Sequence, residues 1–282
     1  MAPPGHRRLI DARRASDGSG VRLQRVLARE GMGALDPLLL LDDFAITDRH
    51  DTPPGFPEHP HRGFETLTLM LDGAMAHADH LGNRDLVETG DVAWMRAGRG
   101  VIHAEQPVLR NGRAHGLQLW LNLPARDKLS DPAYRRIPAA QIPRLAPTPG
   151  CRVRVIAGDL ELAGTQTHGP LTEAACAPLL LDLALDPNGE FDPPATPGWR
   201  RLLYVHQGRV AIADDGIRRH QLAELDDTEG LRLTAGTEGA GALLIAARPL
   251  AEPLAHYGPF VMNTQAEIDQ AIADYEAGRL TD

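Results

Sequence analysis

The first half of the chain consists of short apolar and alternating segments separated by turn-forming residues. Apolar and polar side chains alternate, or apolar ones run together, and glycine, proline, aspartate or asparagine bounds nearly every segment. This pattern predicts β-strands, because successive residues of a strand point to opposite faces and because the bounding residues favour turns. The predicted strands are VRLQRVL (21–27), DPLLLLDDF (36–44), ETLTLML (65–71), AMAHADH (74–80), DVAWMRA (91–97) and GLQLWLNL (116–123).

The density of these strands predicts an all-β chain. Short strands without intervening helical periods are typical of barrels and sandwiches. At 282 residues the chain is near the largest size that one hydrophobic core usually serves, so two domains are expected. We assign a first domain to residues 1–138, a proline-spaced linker to 139–150, a second domain to 151–250 and a tail to 251–282.

The tail changes character and contains one predicted helix. Thr264 and Glu267 have the spacing of a capping box, in which each side chain binds the backbone of the other residue. Apolar residues then recur at helical spacing as far as Gly278, where a helix would end. We therefore expect a C-terminal amphipathic helix.

Two short pairs of ligand-type side chains lie beside predicted strands. His59 and His61 occur in FPEHPHRGFETLTLMLDG, and His103 and Glu105 occur in GDVAWMRAGRGVIHAEQP. Alternate residues of a strand project to the same face about 6.6 Å apart, and a neighbouring strand lies about 4.8 Å away. Two antiparallel segments could therefore aim all four side chains at one divalent metal ion. The mixture of imidazole and carboxylate resembles non-haem iron(II) sites more than closed structural zinc sites.

Other residues near these pairs have two interpretations each. Glu65 follows His61 by four residues and is a candidate metal ligand or a group that orients a ligand histidine. Arg62 could support the same histidines through a bidentate contact, or could be exposed. His77 and His80 are three residues apart in a predicted strand, so they point to opposite faces and joint ligation is not expected.

The second half of the chain echoes the first. Placing RRLLYVHQGRVAI over ETLTLMLDGAMAH aligns Gly208 with Gly73, a shift of 135 residues. We interpret this match as an internal duplication of a strand-rich domain. The same shift carries the four candidate ligands onto non-histidine residues, which are Pro194, Thr196, Glu238 and Ala240. The second copy is therefore predicted to lack the metal site.

Composition narrows the possible partners and the compartment. The formal charge of −9 and the pI near 5.7 argue against nucleic acid as a direct partner. Cys151 and Cys176 are the only cysteines and lack the spacing of a zinc or redox site, which favours a reducing compartment. No apolar signal region is present, and no uncharged run approaches the ~20 residues that span a bilayer. We expect a soluble, cytoplasmic monomer without membrane contacts.

Several long strings carry a family resemblance. HPHRGFETLT, GDVAWMRAGRGVIHAEQP, GLQLWLNLP and EPLAHYGPFVMNTQAEI occur in this order, and together they resemble the pirin family of the cupin superfamily over nearly the whole chain. The resemblance implies a bicupin, with two face-to-face β-barrels, a C-terminal helix and a metal only in the N-terminal barrel. It also implies metal ligands at His59, His61, His103 and Glu105. Cupins in general place an acidic ligand where Glu65 stands, so the pirin pattern leaves Glu65 an orienting role.

The resemblance further implies quercetin dioxygenase activity. In that reaction the metal binds the 3-hydroxyl group of a flavonol, O2 enters, and the central ring opens with release of carbon monoxide. Iron(II) is the expected ion, with zinc, manganese, nickel and copper as alternatives. A divalent cation lowers the pKa of a bound hydroxyl, and Glu105 could accept the proton. The pocket walls should be apolar, and their candidates are Trp94, Met95, Val101 and Trp120.

The same resemblance leaves a second function open. Eukaryotic members of the family bind transcription factors, which implies an iron-binding, redox-sensitive regulatory protein that acts through contacts with another protein. Turnover of a flavonol would distinguish the enzyme from the regulator.

Overall fold

The computed structural model describes residues 5–27, 31–47, 55–162, 164–213, 215–226 and 230–282. Within these residues the chain forms 24 strands and one α-helix. They are β1 (His6–Asp11), β2 (Arg13–Asp17), β3 (Val21–Val26), β4 (Leu38–Ile46), β5 (Phe56–His61), β6 (Phe64–Asp72), β7 (Ala74–Asp79), β8 (Arg84–Glu88), β9 (Val92–Arg96), β10 (Val101–Val108), β11 (Ala114–Asn122), β12 (Ala133–Ile137), β13 (Arg144–Leu145), β14 (Cys151–Ala157), β15 (Asp159–Leu162), β16 (Thr165–His168), β17 (Leu179–Leu185), β18 (Glu190–Phe191), β19 (Arg200–Ile212), β20 (Asp215–Arg218), β21 (Gln221–Leu225), β22 (Leu233–Ala247), β23 (Ala255–Tyr257), β24 (Phe260–Met262) and α1 (Gln265–Glu276).

The chain divides into two compact units, and neither is continuous in sequence. The N-terminal unit comprises Arg14–Ala139, Ala174–Cys176 and Leu250–Asp282, and the C-terminal unit comprises β1 with Ala140–Glu173 and Ala177–Pro249. Strand β1 pairs with β21 of the C-terminal unit, whereas α1 contacts β23 and β24 of the N-terminal unit. The segment expected to be a linker contains β13, which pairs with β14.

The N-terminal unit is built from two antiparallel sheets. One has seven strands in the order β12-β9-β6-β11-β4-β3-β2, and the other has four in the order β5-β10-β7-β8. Apolar side chains from both sheets form one cluster, in which Phe44 and Met70 of the larger sheet join Met75 and Val87 of the smaller one. This burial of two inner faces against each other is what stabilises a sandwich.

The predicted all-β fold with two cupin domains and a C-terminal helix is confirmed, with one correction. The sheets form a cupin β-sandwich and not closed barrels. Within the described residues of the N-terminal unit, no hydrogen-bonded ladder joins the seven-stranded sheet to the four-stranded one. The strands that were predicted from alternation, including 65–71 and 116–123, lie within β6 and β11.

The C-terminal unit repeats this topology in one large sheet. Its order is β1-β21-β19-β22-β17-β14-β13, with β18 paired to β22 and β20 paired to β19. The long strand β19 corresponds to β6 and β7 joined, because Gly73 and Gly208 both adopt positive φ at the junction, at 72° and 67°. At both glycines a Cβ would collide with a backbone oxygen of the neighbouring strand. The duplication therefore has a structural counterpart.

The register of the strands shows where the constant shift ends. Ala76 of β7 pairs with Gln106 of β10, and Ala211, its counterpart 135 residues later, pairs with Thr234 of β22. Thr234 therefore matches Gln106, which is a shift of 128 residues. The turn between the two paired strands is shorter in the second copy, so a single shift could not align both ligand pairs.

This register corrects two of the four predicted counterparts. His103 and Glu105 correspond to Leu231 and Leu233, so Glu238 and Ala240 were wrong. Pro194 and Thr196 remain the counterparts of the first pair, because Phe191 pairs with Leu233 as Phe56 pairs with Glu105. Leu231 and Leu233 are 1% and 0% exposed and belong to the apolar cluster that fills the C-terminal unit.

The helix α1 forms as its sequence predicts. Thr264 caps its N-terminus and Glu267 completes the capping box, while Ile268 and Ala271 are buried against Phe260 and neighbouring apolar residues. No helix in the described part of the chain combines the length and the apolar character needed to cross a membrane.

Two buried cations attach the C-terminal segment beside the strand that carries His61. The ammonium of Lys128 donates hydrogen bonds to the carbonyls of Gly63 and Val261, at 2.8 and 2.9 Å, and to the Asn122 side chain at 2.8 Å. The guanidinium of Arg62 donates to the Asp274 carboxylate on α1 at 2.8 Å and to the Arg99 carbonyl. Because a buried charge without partners is costly, these contacts fix the segment after His61.

We predict that each chain binds one divalent metal ion tightly. The C-terminal unit offers leucines where the N-terminal unit offers His103 and Glu105, and aliphatic side chains cannot ligate a metal. Metal analysis of protein purified without an affinity tag should give one equivalent. Two equivalents retained through dialysis would contradict the assignment of Leu231 and Leu233.

Candidate metal centre

The candidate ligands come together because β5 and β10 pair in antiparallel register. His59 lies directly opposite His103, and His61 lies opposite Val101. A register shift follows between His103 and Glu105, so that Glu105 lies opposite Phe56. Direct partners in an antiparallel pair project to the same face, and alternate residues do so along each strand. All four predicted ligands therefore lie on one face of the four-stranded sheet.

The three imidazoles form a compact group. The ring centroids of His59 and His103 are 4.4 Å apart, those of His59 and His61 are 4.7 Å apart, and those of His61 and His103 are 5.0 Å apart. One ring nitrogen of each histidine lies within 4.8 Å of the others, close enough to share an ion. His61 and His103 are 3% and 2% exposed. The structure thus brings the three predicted histidines together, and their role as ligands stays a prediction.

The surroundings keep these histidines in the neutral form that binds metals. Burial lowers the pKa of His61 well below its ordinary value, and the nearby His59 acts in the same direction. Burial and the three neighbouring histidines lower the pKa of His103 in the same way. The Nδ1 atom of His59 lies 2.8 Å from the Pro57 carbonyl, to which it can donate, and this tautomer leaves Nε2 free for a metal.

Glu105 is held by two side chains that sequence reasoning did not single out. The side-chain amide of Gln118 on β11 donates to Oε2 of Glu105 at 2.7 Å. The hydroxyl of Thr68 on β6 lies 3.4 Å from Oε1, and Gln118 also lies 3.4 Å from that hydroxyl. Thr68 and Gln118 are paired partners on neighbouring strands of the seven-stranded sheet. The opposite sheet therefore orients the carboxylate.

His77 is the second residue that sequence reasoning missed. It lies opposite Glu105 on β7, is 5% exposed, and stacks on Tyr134 with ring centroids 4.1 Å apart and planes 9° apart. Its Nε2 atom lies 3.2 Å from the Asp79 carboxylate. A ligand atom of His77 lies within 4.8 Å of those of His103 and Glu105. The only sequence signal was the alternation that places His77 and Asp79 on one face.

The donor set fits a divalent first-row metal ion. Neutral imidazoles and a carboxylate are the ligands such ions take from proteins. In the described part of the chain, Nδ1 of His61 and both ring nitrogens of His103 are buried without a hydrogen-bond partner. Buried polar atoms are rarely left unpaired, and a bound ion would satisfy them.

The predicted orienting roles of Arg62 and Glu65 have no contact to carry them in the described residues. Arg62 is bound to Asp274 and to the carbonyls of Arg99 and Leu280. Glu65 is an odd number of positions from Thr68 on β6, so it points to the face away from Glu105. Its two oxygens accept hydrogen bonds from the Ala175 amide at 3.3 and 3.2 Å. Burial raises the pKa of Glu65 to about 8, although the Ala175 amide acts in the opposite direction.

The predicted pocket walls differ from the walls of the cleft that the structure contains. Met95 and Val101 pack against Tyr134 in a small apolar cluster, and Trp94 is 2% exposed on the far face of β9. Trp120 alone borders the metal group, with its ring centroid 5.2 Å from that of His61. Alternation could not show which of these large side chains fill the core.

A cleft of about 920 Å³ opens beside the metal group. Glu105 and His77 form part of its wall. Its other lining residues combine apolar and hydrogen-bonding side chains, and they include Phe56, Pro57, Leu86, Arg84, Asp85, Gln106 and Arg136. A cleft of this size can hold a drug-sized ligand.

Comparison with known proteins gives a consistent result along the chain. The Pirin family model matches residues 20–121, and the model of the pirin C-terminal cupin domain matches residues 180–281. A protein of Pseudomonas aeruginosa that carries quercetin 2,3-dioxygenase as its provisional name is 44% identical over 269 residues, covering 94% of each chain. Human pirin is 38% identical over 270 residues, covering 94% of this chain and 89% of the human protein.

Solved structures agree with the sequence matches. The crystal structure of a quercetin 2,3-dioxygenase from Acinetobacter baumannii has a TM-score of 0.86 at 31% identity and covers 99% of each chain. A bacterial pirin from Escherichia coli, solved in complex with nickel(II), has a TM-score of 0.64 at 21% identity and covers 86% of this chain and 99% of its own. The second likeness shows the fold alone.

We predict that His61→Ala greatly weakens metal binding and leaves the fold intact. His61 supplies one of three buried imidazoles, whereas the apolar cluster between the sheets does not include it. The dissociation constant for nickel(II) should rise at least about tenfold, by analogy with the loss of weaker outer contacts. Circular dichroism should stay that of the native protein. Global unfolding of the variant would show instead that the site is structural.

We predict that Glu65→Gln changes how stability depends on pH. Folding raises the pKa of Glu65 to about 8 from 4.5, so the protonated carboxyl contributes stability at low pH that is lost as the pH rises from about 4.5 to 8. Relative to the variant, the native protein should lose up to about 1.4 kcal/mol of unfolding free energy per pH unit in this window. Urea unfolding at several pH values measures this difference. Parallel pH profiles for the two proteins would contradict it.

Proposed function

Because this chain belongs to the pirin family of cupin proteins, we propose that it is a metal-dependent dioxygenase that opens the central ring of flavonols such as quercetin and releases carbon monoxide. The observation that carries the proposal is the position of Glu105. Its carboxylate belongs to the metal group through His103 and also forms part of the wall of the cleft. A substrate in the cleft would therefore meet the ligand and the base at the same place.

The proposed cofactor is one divalent ion, with iron(II) as the first candidate and zinc, manganese, nickel or copper as alternatives. His59, His61, His103 and Glu105 would hold it. The ion would supply Lewis acidity, which lowers the pKa of a hydroxyl group bound to it. The nickel(II) complex of the Escherichia coli pirin supports a divalent ion in this fold.

The residues of the chain would then divide the remaining work. Glu105 accepts the proton of the flavonol 3-hydroxyl group, and Gln118 and Thr68 hold its carboxylate in place for that transfer. Phe56, Leu86 and the other apolar residues of the cleft suit an aromatic ring system. Polar groups in the same wall, such as those of Arg136 and Gln106, suit its several hydroxyl groups.

The alternative is an iron-binding, redox-sensitive protein that regulates a partner by contact. Human pirin and the Pseudomonas aeruginosa protein are both relatives of this chain, so the family name alone does not separate the two functions. Incubation of the iron-loaded protein with quercetin under air distinguishes them. Carbon monoxide and loss of the flavonol absorption band support the enzyme, whereas no turnover together with co-purification of a partner supports the regulator.

We predict that Glu105→Gln lowers turnover more than it lowers metal binding. The glutamine keeps the shape and one oxygen of Glu105 but removes the charge and most of the basicity, so the three histidines should still bind the ion, though more weakly. Turnover per bound metal should fall by the ~10²–10⁴ that loss of a general base costs. The assay is quercetin consumption divided by measured metal occupancy.

The control variant for this prediction is Glu88→Gln. Glu88 also lies on the wall of the cleft, but it is exposed and paired with Arg110. Its turnover per metal should equal that of the unmodified protein. A Glu105→Gln enzyme with full activity per bound metal would leave Glu105 as a ligand only.

A further inference from the structure

His103 belongs to two different groups of ligand atoms. One group is His59, His61 and His103, and the other is His77, His103 and Glu105, each with its ligand atoms within 4.8 Å of one another. Both ring nitrogens of His103 are buried without a partner among the described residues. The ring centroid of His103 lies 4.4 Å from that of His59 and 5.4 Å from that of His77. The second group includes His77, which the proposed ligand set does not use.

His77 is prepared to act as a ligand. The Asp79 carboxylate near its Nε2 atom favours the tautomer with the proton on Nε2, which leaves the lone pair on Nδ1. Asp79 is itself fixed by hydrogen bonds from the Leu81 and Asn83 amides and from the Asn83 side chain. The stacked ring of Tyr134 fixes the plane of the imidazole. Little conformational freedom would be lost when His77 binds an ion.

The charge around His77 also favours a cation. Glu105 and Asp79 place two carboxylates beside the second group, and both side chains are buried. Buried carboxylates are stabilised by a nearby positive ion. His77 and Glu105 both line the cleft, while His59, His61 and His103 do not, so the second group is the one that an ion from solvent reaches first.

We propose that His77, His103 and Glu105 form a second position for a divalent cation, alternative to the position among His59, His61, His103 and Glu105. The two positions share His103 and Glu105, and two dications this close together would repel each other strongly. A single ion therefore occupies one position or the other. The inference rests on the metal binding of the proposed function, but not on its dioxygenase activity.

The test uses cobalt(II), whose absorption spectrum reports the ligands, together with equilibrium dialysis. The double variant His59→Ala, His61→Ala removes the first position and keeps the second. It should still bind about one equivalent of cobalt, more weakly than the unmodified protein. Adding His77→Ala should weaken this residual binding by at least about tenfold and change the spectrum. In the unmodified background, His77→Ala alone should alter the affinity by less than about threefold.

The matched control is His80→Ala in the double variant. His80 lies on the next turn, where its Nδ1 atom accepts a hydrogen bond from the Ile102 amide at 3.3 Å, and it belongs to neither group. It should leave the residual affinity and spectrum unchanged. If the double variant does not fold, as judged by circular dichroism, the same comparison is made in the single variant His59→Ala, where His77→Ala should again weaken binding at least about tenfold.

The outcomes separate this inference from the proposed function. Equal cobalt affinity with and without His77, in the background that lacks the first position, overturns the second position while the metal site itself stands. No cobalt binding by the unmodified protein overturns both. Residual binding that depends on His77 and not on His80 supports the second position.

Discussion

The antiparallel pairing of β5 with β10 is the constraint on which the candidate metal centre depends. His59 lies directly opposite His103, and the register shift after His103 gives Glu105 its own place along the strand. Because paired strands hold these residues, the backbone is already arranged before an ion arrives, and binding needs only small side-chain adjustments. The facing sheet completes the arrangement, since Gln118 orients the carboxylate of Glu105 across the sandwich.

The C-terminal unit shows that this fold does not need the site. Its strands follow the same topology, yet Leu231 and Leu233 stand where the N-terminal unit has His103 and Glu105, and apolar side chains fill the interior. Burial of apolar surface stabilises both sandwiches. Side chains at a few inward positions can therefore be ligands in one unit and core residues in the other, without a change of architecture.

The N-terminal unit carries its buried charges only where distant segments supply partners. Lys128, the one lysine of the sequence, is surrounded by oxygens from Gly63, Asn122 and Val261. Arg62 is bound to Asp274 of α1. Leaving any of these charges unpaired in the interior would be costly, so they specify where the C-terminal segment lies as well as stabilising it. The segment after His61 is thereby held in one conformation, next to the metal group.

The sequence by itself determined the strands, the helix and the four side chains of the predicted ligand set. Strand alternation, the capping box at Thr264 and the two i, i+2 pairs are local patterns, so they can be read without knowing which strands meet. Only the tertiary structure decided the rest, because side-chain neighbours across a sheet depend on pairing and register. His77 and Gln118 reach Glu105 from strands that are distant in sequence, and Glu65 turns away from it because it lies an odd number of residues from Thr68. The counterparts of His103 and Glu105 depended on register in the same way, since one shorter turn changed the alignment to Leu231 and Leu233.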